Sequence, residues 1–241
     1  MVDRDSSRKV ATECEGCQLI ASGVSGGQSP ACVAKLSGLV TRYTIYDKGR
    51  TVFNQGQPVT QLYFLYRGLV KLSAVTADGD EVVLDVLRPC CMVGTLPTTD
   101  KATYDYTAVT LTETTELCSV NVKDLFKLTS SHPTLAFALA HQLSARLSQA
   151  YMMLMDMKLP VGDRLISVLA WLADLTGDKS EVKSAKIPLS CREIAQLAQT
   201  TPETLSRLLQ PHQKKGIIRV EKGLWVKRKV LEDYVADYRE R

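Results

Sequence analysis

Two closely spaced helix starts constrain this chain more than any other feature. Ser190 followed by Glu193 forms a capping box, in which the serine hydroxyl takes a backbone N–H three residues on and the glutamate reaches back. Thr201 followed by Pro202 is an N-cap with proline in the first helical turn. The two helices are short and joined by a tight turn. Ile194, Leu197 and Ala198 on the first, with Leu205, Leu208 and Leu209 on the second, supply a packed seam, and the small Ala195 allows close approach. Glu203, Ser206 and Arg207 are left on the open face of the second helix.

Those side chains have the chemistry that reads base edges in a major groove. An arginine forks onto guanine O6 and N7, a glutamate accepts from cytosine N4, and a serine bonds a base or touches a thymine methyl. All three fall in the first helical turns, where a helix-turn-helix reader places its base contacts. The plainer alternative is a helical hairpin with a solvated polar face. The sequence that follows argues against it: Ile217–Val220, the turn Glu221-Lys222-Gly223 and Leu224–Arg228 read as a β-hairpin wing carrying Lys222, Lys227, Arg228 and Lys229. With Thr201 and Lys214, the cations Lys222, Lys227 and Arg228 are the candidate phosphate contacts, which fix register without reading sequence.

Charge distribution agrees. The net charge of +4 lies wholly in the half holding this pair, since residues from Pro160 onward carry 15 Lys and Arg against 11 Asp and Glu, while the first 159 residues carry 15 of each. No uncharged apolar run is long enough to span a bilayer, and Met1–Val10 is too polar for a secretory segment, so a cytoplasmic, membrane-free protein is expected. The 7 cysteines, an odd number, then point to metal binding or thiol chemistry rather than a disulfide framework.

Upstream, a polar leader ends in Cys14-Glu15-Gly16-Cys17, followed by a Gly/Ser-rich stretch and Cys32. Ala31–Val40 reads as a short helix. The period then switches to alternation: Thr41–Tyr46, Thr51–Phe53, Gln61–Arg67, Val70–Val75, Glu81–Leu87, Tyr104–Leu111 and Glu116–Val120 are strand-like, most of them separated by glycine turns. An antiparallel barrel or roll follows. Pro133–Leu159 is a long helix, on which Ala140, Leu147 and Leu154, and Ala136, Leu143, Ala150 and Met157, recur at coiled-coil spacing. Arg146 lies beside this seam, where repulsion against its twin would leave a dimer weak and switchable. Gly162–Leu175 opens the last domain with an amphipathic helix, and Leu231–Arg241 reads as a polar terminal helix.

Pro202-Glu203-Thr204-Leu205-Ser206-Arg207-Leu208-Leu209 resembles the recognition helix of the CRP/FNR family of bacterial transcription regulators, and its FNR branch in particular. Lys48–Phe53 and Leu62–Gly68 are similar to phrases of the cyclic-nucleotide-binding β-roll. The resemblance implies an α+β chain with a leader and short helix (1–40), an N-terminal cyclic-nucleotide-binding-like β-roll (41–131), a long dimerisation helix (132–159) and a C-terminal winged helix-turn-helix (160–241). Carried over by position, Glu203, Ser206 and Arg207 match that branch's base-contacting residues, and the implied target is a two-fold TTGAT...ATCAA site. Double-stranded DNA, a second copy of the chain and RNA polymerase are the implied partners, and catalysis is not expected.

Two departures matter. Where cyclic-AMP binders carry a glutamate for the ribose and an arginine for the phosphate, this chain aligns Thr95 and Asp105, and an aspartate repels a phosphate. The FNR branch holds a 4Fe-4S cluster on four cysteines, which the resemblance places at Cys14, Cys17, Cys32 and Cys118; the Cys17–Cys32 spacer is longer than that branch shows, and Cys90 or Cys91 could substitute for Cys32. Four thiolates suit a cubane cluster and equally a tetrahedral zinc ion. Cys191 reads as a small filler, and His132, His141 and His212 as packing or solvated histidines. The leading expectation is a dimeric regulator whose cluster couples oxygen, nitric oxide or redox state to DNA binding. The alternative is the same reader gated by a small molecule in the roll, or by zinc or thiol redox chemistry. A thiol oxidoreductase built on Cys14 and Cys17 is the weakest, because nothing around that motif lowers a thiol pKa.

Overall fold

The computed structural model describes residues 40–231 except 98, 100, 132, 177–183 and 228, together with Asp233. Most of the helix expected over Ala31–Val40, and all but the start of the terminal helix expected from Leu231, lie outside the described residues; Val40 itself begins a strand.

Eight strands, β1 (Val40–Tyr46), β2 (Thr51–Phe53), β3 (Gln61–Arg67), β4 (Val70–Val75), β5 (Glu81–Leu87), β6 (Met92–Val93), β7 (Thr107–Thr110) and β8 (Thr115–Asn121), form two four-stranded sheets ordered β1-β8-β3-β6 and β2-β7-β4-β5. Alternation decides which side chain goes inward. Leu65, Val93 and Leu117 of the first sheet share a buried cluster with Phe53, Leu72, Leu87 and Ala108 of the second. The other face of the first sheet, with Leu62, Phe64, Met92 and Val120, is covered by Val122, Leu125 and Leu128 of α1 (Val122–Ser131) and by Leu135 and Leu139 of α2 (Pro133–Asp156). α1 was not anticipated from the sequence. Burial of Val122, Leu125 and Leu128 holds it despite a Thr-Ser-Ser end, where Thr129 and Ser130 turn their hydroxyls back to the Phe126 carbonyl at 2.9 and 3.0 Å.

α2 is 24 residues long and ends three residues short of the expected Leu159. Met157, Lys158 and Leu159 donate instead to the carbonyls of Leu154, Met155 and Asp156, three residues back, so the chain tightens into a turn that Pro160 then terminates. A single carboxamide ties α2 to the roll: Gln142 Nε2 donates to the Cys90 carbonyl at 2.6 Å, while its Oε1 accepts from the Met92 N–H at 3.1 Å.

Contacts divide the chain into two units, one comprising residues through Ala74 and Leu87–Ser148, the other Val75–Val86 and residues from Gln149 onward. The second contains α3 (Val161–Leu175), α4 (Cys191–Leu197) and α5 (Pro202–Lys214), with a sheet ordered β10-β11-β9 built from β9 (Ala185–Ile187), β10 (Ile218–Val220) and β11 (Leu224–Val226). The wing hairpin is present, shortened at both ends, and β9 adds an unforeseen third strand. Leu165, Leu169, Leu172, Ile194, Leu205, Ile218, Leu224 and Val226 are fully or almost fully buried and form the core that holds α4 and α5.

Gly68 illustrates how the roll depends on one turn. At φ +90 it sits where an added Cβ would meet Thr112 Oγ1 at 2.5 Å and the Thr114 carbonyl at 2.7 Å, whereas Gly79, at φ +88, faces open space. Gly79→Ala is therefore expected to cost about 1 kcal/mol and Gly68→Ala about 3 kcal/mol or more in urea unfolding, because only the second adds a backbone collision to the left-handed strain.

Candidate nucleic-acid interface

The capping box of α4 forms as its spacing dictates, with Glu193 N–H donating to Ser190 Oγ at 3.3 Å and Ser190 N–H to Glu193 Oε2 at 2.8 Å. α4 ends at Leu197, and Gln199 adopts a left-handed φ of 48 that turns the chain into the next helix. There Thr201 Oγ1 accepts from the Thr204 N–H at 3.2 Å, with Pro202 in the first helical position. Ile194, Ala195, Ala198, Leu205 and Leu209 are buried between the helices and the domain core, and Leu197 and Leu208 are half-buried.

α5 runs on through Pro211, which has no N–H to offer the carbonyl of Arg207. The opposite face is open: Glu203, Ser206 and Arg207 are all exposed, and so is Gln210, a turn further along the same face, which the sequence reading missed. Gln210 offers both donor and acceptor atoms for a base edge. The backbone N–H of Glu203 itself, and then the Thr201 hydroxyl, hold the Glu203 carboxyl below the usual glutamate range. A carboxylate there stays an acceptor at neutral pH, as pairing with a cytosine amine requires.

Of the candidate phosphate contacts, Thr201, Lys214, Lys222 and Lys227 are exposed, and Arg228 lies outside the described residues. Lys222 occupies the wing turn at a φ of 48, beside Gly223. Sequence alone did not reveal a cross-strand row: Arg219 and Lys186 flank Trp225 in register, and Lys186 Nζ lies 5.8 Å from the indole centroid. With Glu221 and Lys222 these residues line an open groove, so the wing presents a mainly cationic face with an aromatic centre.

Residues 43–132 match the cyclic nucleotide-binding domain family and residues 163–234 the Crp-like helix-turn-helix domain family. The chain is 30% identical over 181 residues to the global nitrogen regulator of Nostoc sp., a similarity spanning 73% of this chain and 81% of that protein. The chain belongs to the CRP/FNR family. To the CRP-like cAMP-activated global transcriptional regulator of Mycobacterium tuberculosis it is 29% identical over 206 residues, covering 84% of this chain and 91% of the relative. In fold it is similar to the c-di-GMP responsive global regulator CLP of Xanthomonas campestris, with a TM-score of 0.70 at 23% identity over 83% of this chain and 99% of the other. It is a DNA-binding transcription regulator of the CRP/FNR type.

Within this CRP/FNR regulator the roll interior is filled by aromatic rings. Phe53 stacks on Tyr104 at 3.8 Å between centroids, with Tyr63 and Tyr106 at 5.7 and 5.9 Å. Tyr104 and Tyr106 donate their hydroxyls to the carbonyls of Gln61 and Gly94 at 2.6 and 2.8 Å. The strand expected from Tyr104 starts only at Thr107, because the Tyr104 backbone bonds to the turn at Gly56 and Gln57, at 2.8 and 2.9 Å. Burial pushes the Tyr104 hydroxyl well above the usual tyrosine range, so it stays a neutral donor. Thr95 and Asp105, which the resemblance aligns with ribose and phosphate contacts, approach each other to 3.5 Å.

Cys14, Cys17 and Cys32 lie outside the described residues, so of the four proposed ligands only Cys118 is placed. It is buried at the centre of β8, in register with Tyr43 of β1 and Phe64 of β3. Among the described residues no three His, Cys, Asp or Glu converge as a metal site. Cys90, in a left-handed conformation, and Cys91 bracket Leu65 through two backbone bonds of 2.9 Å, so the pair sits in a fixed turn.

On α2, Ala136, Ala140, Leu143, Leu147, Ala150 and Leu154 are exposed, and Met157 follows the helix in its closing turn. Phe137, Tyr151 and Met155 extend this apolar exposure, at 76%, 58% and 65%. Arg146 is half-buried, on the helical row that also carries Leu139 and Gln142. Among the described residues no helix is long and apolar enough to cross a membrane.

Two measurements check this geometry. Thr201→Ala removes the cap of α5 and is expected to lower stability by about 1 kcal/mol in urea. Burial, and then the Lys215 charge, hold His212 below its ordinary value of 6.5. The unfolded chain therefore binds a proton that the folded one resists, and stability falls as pH drops through the ordinary histidine range. His212→Gln should flatten that decline between about pH 7 and 5.

Proposed function

We propose that two copies of this regulator pair along α2 and read a two-fold site resembling TTGAT...ATCAA through Glu203, Ser206 and Arg207. The observation that carries the reading is an exposed acid, hydroxyl and guanidinium on the first two turns of a capped helix. The exposed apolar stripe of α2 supports the pairing, since a row from Leu143 to Leu154 left in water is costly and a second copy would cover it. Lys214, Lys222 and Lys227 then meet phosphates on either side, and the output reaches the promoter through RNA polymerase.

For the signal, a 4Fe-4S cluster on Cys14, Cys17, Cys32 and Cys118 couples oxygen, nitric oxide or redox state to pairing and hence to DNA affinity. The Cys-x-x-Cys leader and the buried thiol of Cys118 support it, and the packed aromatic interior of the roll favours it over a cyclic nucleotide. Bound there, such a cluster would supply a redox-sensitive link between the leader and the roll. The same four thiolates suit zinc, so the metal content decides between them.

Iron and acid-labile sulfide measured after anaerobic purification should come to about four of each per chain. Stoichiometric zinc without sulfide would move the reading to a zinc protein. In titrations on the palindrome, Arg207→Ala should lose about 1–3 kcal/mol and with it the preference for the G·C pair. Lys227→Ala should weaken binding to all duplexes alike. Equal binding of wild type to the palindrome and to a scrambled duplex would refute the reading.

A further inference from the structure

Arg164 lies in the first turn of α3, where a cation faces the positive end of its own helix and gains nothing from it. Its side chain leaves that helix altogether. Nε donates to the Ala198 carbonyl at 2.6 Å, Nη2 to the Gln199 carbonyl at 3.2 Å, and Nη1 to the Met157 carbonyl at 3.0 Å. Those acceptors lie just past two helix ends: Met157 follows the last residue of α2, Asp156, while Ala198 is the C-cap of α4 and Gln199 the residue after it. One planar guanidinium therefore caps the negative ends of both helices at once, a geometry that its rigid fork of donors allows and a lysine ammonium does not. A second strap runs parallel to it, because Gln199, the left-handed residue of the turn, places Nε2 3.6 Å from Met157 Sδ.

The turn it grips leads directly into the recognition helix, and the other end of the grip is the foot of the long helix. We propose that Arg164 is a positioning residue that fixes the α4–α5 turn to the end of α2, so that the spacing of two recognition helices in a dimer is set by the stalk that joins them. This rests on the proposed pairing along α2. All three nitrogens of Arg164 are committed to backbone carbonyls of its own chain. Its loss should therefore leave the reading of one half-site intact and relax the geometry of two.

The test is equilibrium binding of the full-length protein to three duplexes: the palindrome, the palindrome with its spacer changed by one base pair, and a single half-site. For Arg164→Gln, affinity for the palindrome should fall about tenfold, affinity for the single half-site should stay within about twofold, and discrimination against the altered spacer should shrink. Arg164→Lys should fall between wild type and Arg164→Gln. Amide exchange on the same variants supplies a readout without DNA: protection should drop together at Met157–Leu159 and Gln199–Thr201, while Leu169 and Leu172 in the core of α3 stay protected. Equal losses on the half-site and the palindrome, or unchanged spacing discrimination, would overturn the proposal. So would loss of protection in α3, which would mark a purely structural role. If wild type does not prefer the palindrome over the half-site, the pairing fails first; exchange that rises in only one of the two segments sinks the staple independently.

Discussion

The burial of Leu205 and Leu209 against Ile194 and Ala195 is the contact on which everything else in the DNA-binding half depends. α5 has 13 residues, one of them an internal proline, and a helix of that kind would not persist alone in water. Packing on α4 and the wing sheet holds it, and that packing also decides which residues point outward. Once Leu205 and Leu209 face the core, the helical period leaves Glu203, Ser206, Arg207 and Gln210 no other direction than solvent. Caps at Ser190 and Thr201 sharpen the ends of the helices, and Gln199 sets the angle between them.

The roll follows a different logic. Its two sheets close on a core that includes stacked aromatic rings, and the hydroxyls of Tyr104 and Tyr106 are spent on backbone carbonyls. Relatives of this fold are named a global nitrogen regulator, a cAMP-activated regulator and a c-di-GMP responsive regulator. A shared scaffold therefore does not carry a shared signal, and the signal has to be argued from particular side chains. Here those are Thr95 and Asp105, which lie 3.5 Å apart and supply a hydroxyl and a carboxylate but no cation, and Cys118, which is buried on a strand rather than displayed in a loop.

Much of this was legible in the sequence. β2, β3, β4 and β5 have the bounds that alternation and glycine turns gave them, and both caps bond as their residue spacing requires. What escaped has physical reasons. β6 is a two-residue strand and β9 a three-residue one, too short for periodicity to register. α1 is masked by its Thr-Ser-Ser end, which stays helical because tertiary burial of Leu125 and Leu128 outweighs local propensity. The end of α2 moved from Leu159 to Asp156 because its last residues tighten before Pro160. Arg164 and Gln142 were invisible for a deeper reason: their partners are backbone carbonyls and amides, which every residue possesses, so no residue pattern marks the acceptor. The Arg219–Trp225–Lys186 row depended on a strand, β9, whose register no local pattern gave.

The central claim is that paired copies of α5 read a two-fold DNA sequence. It is tested most directly by selecting bound duplexes from a random pool with the full-length protein in its native metal state. The account predicts enrichment of a dyad-symmetric motif whose half-sites are centred about one helical turn, roughly 10 base pairs, apart and contain a fixed G·C pair. Recovery of an asymmetric single site, or of a pool that remains random after selection, would contradict it.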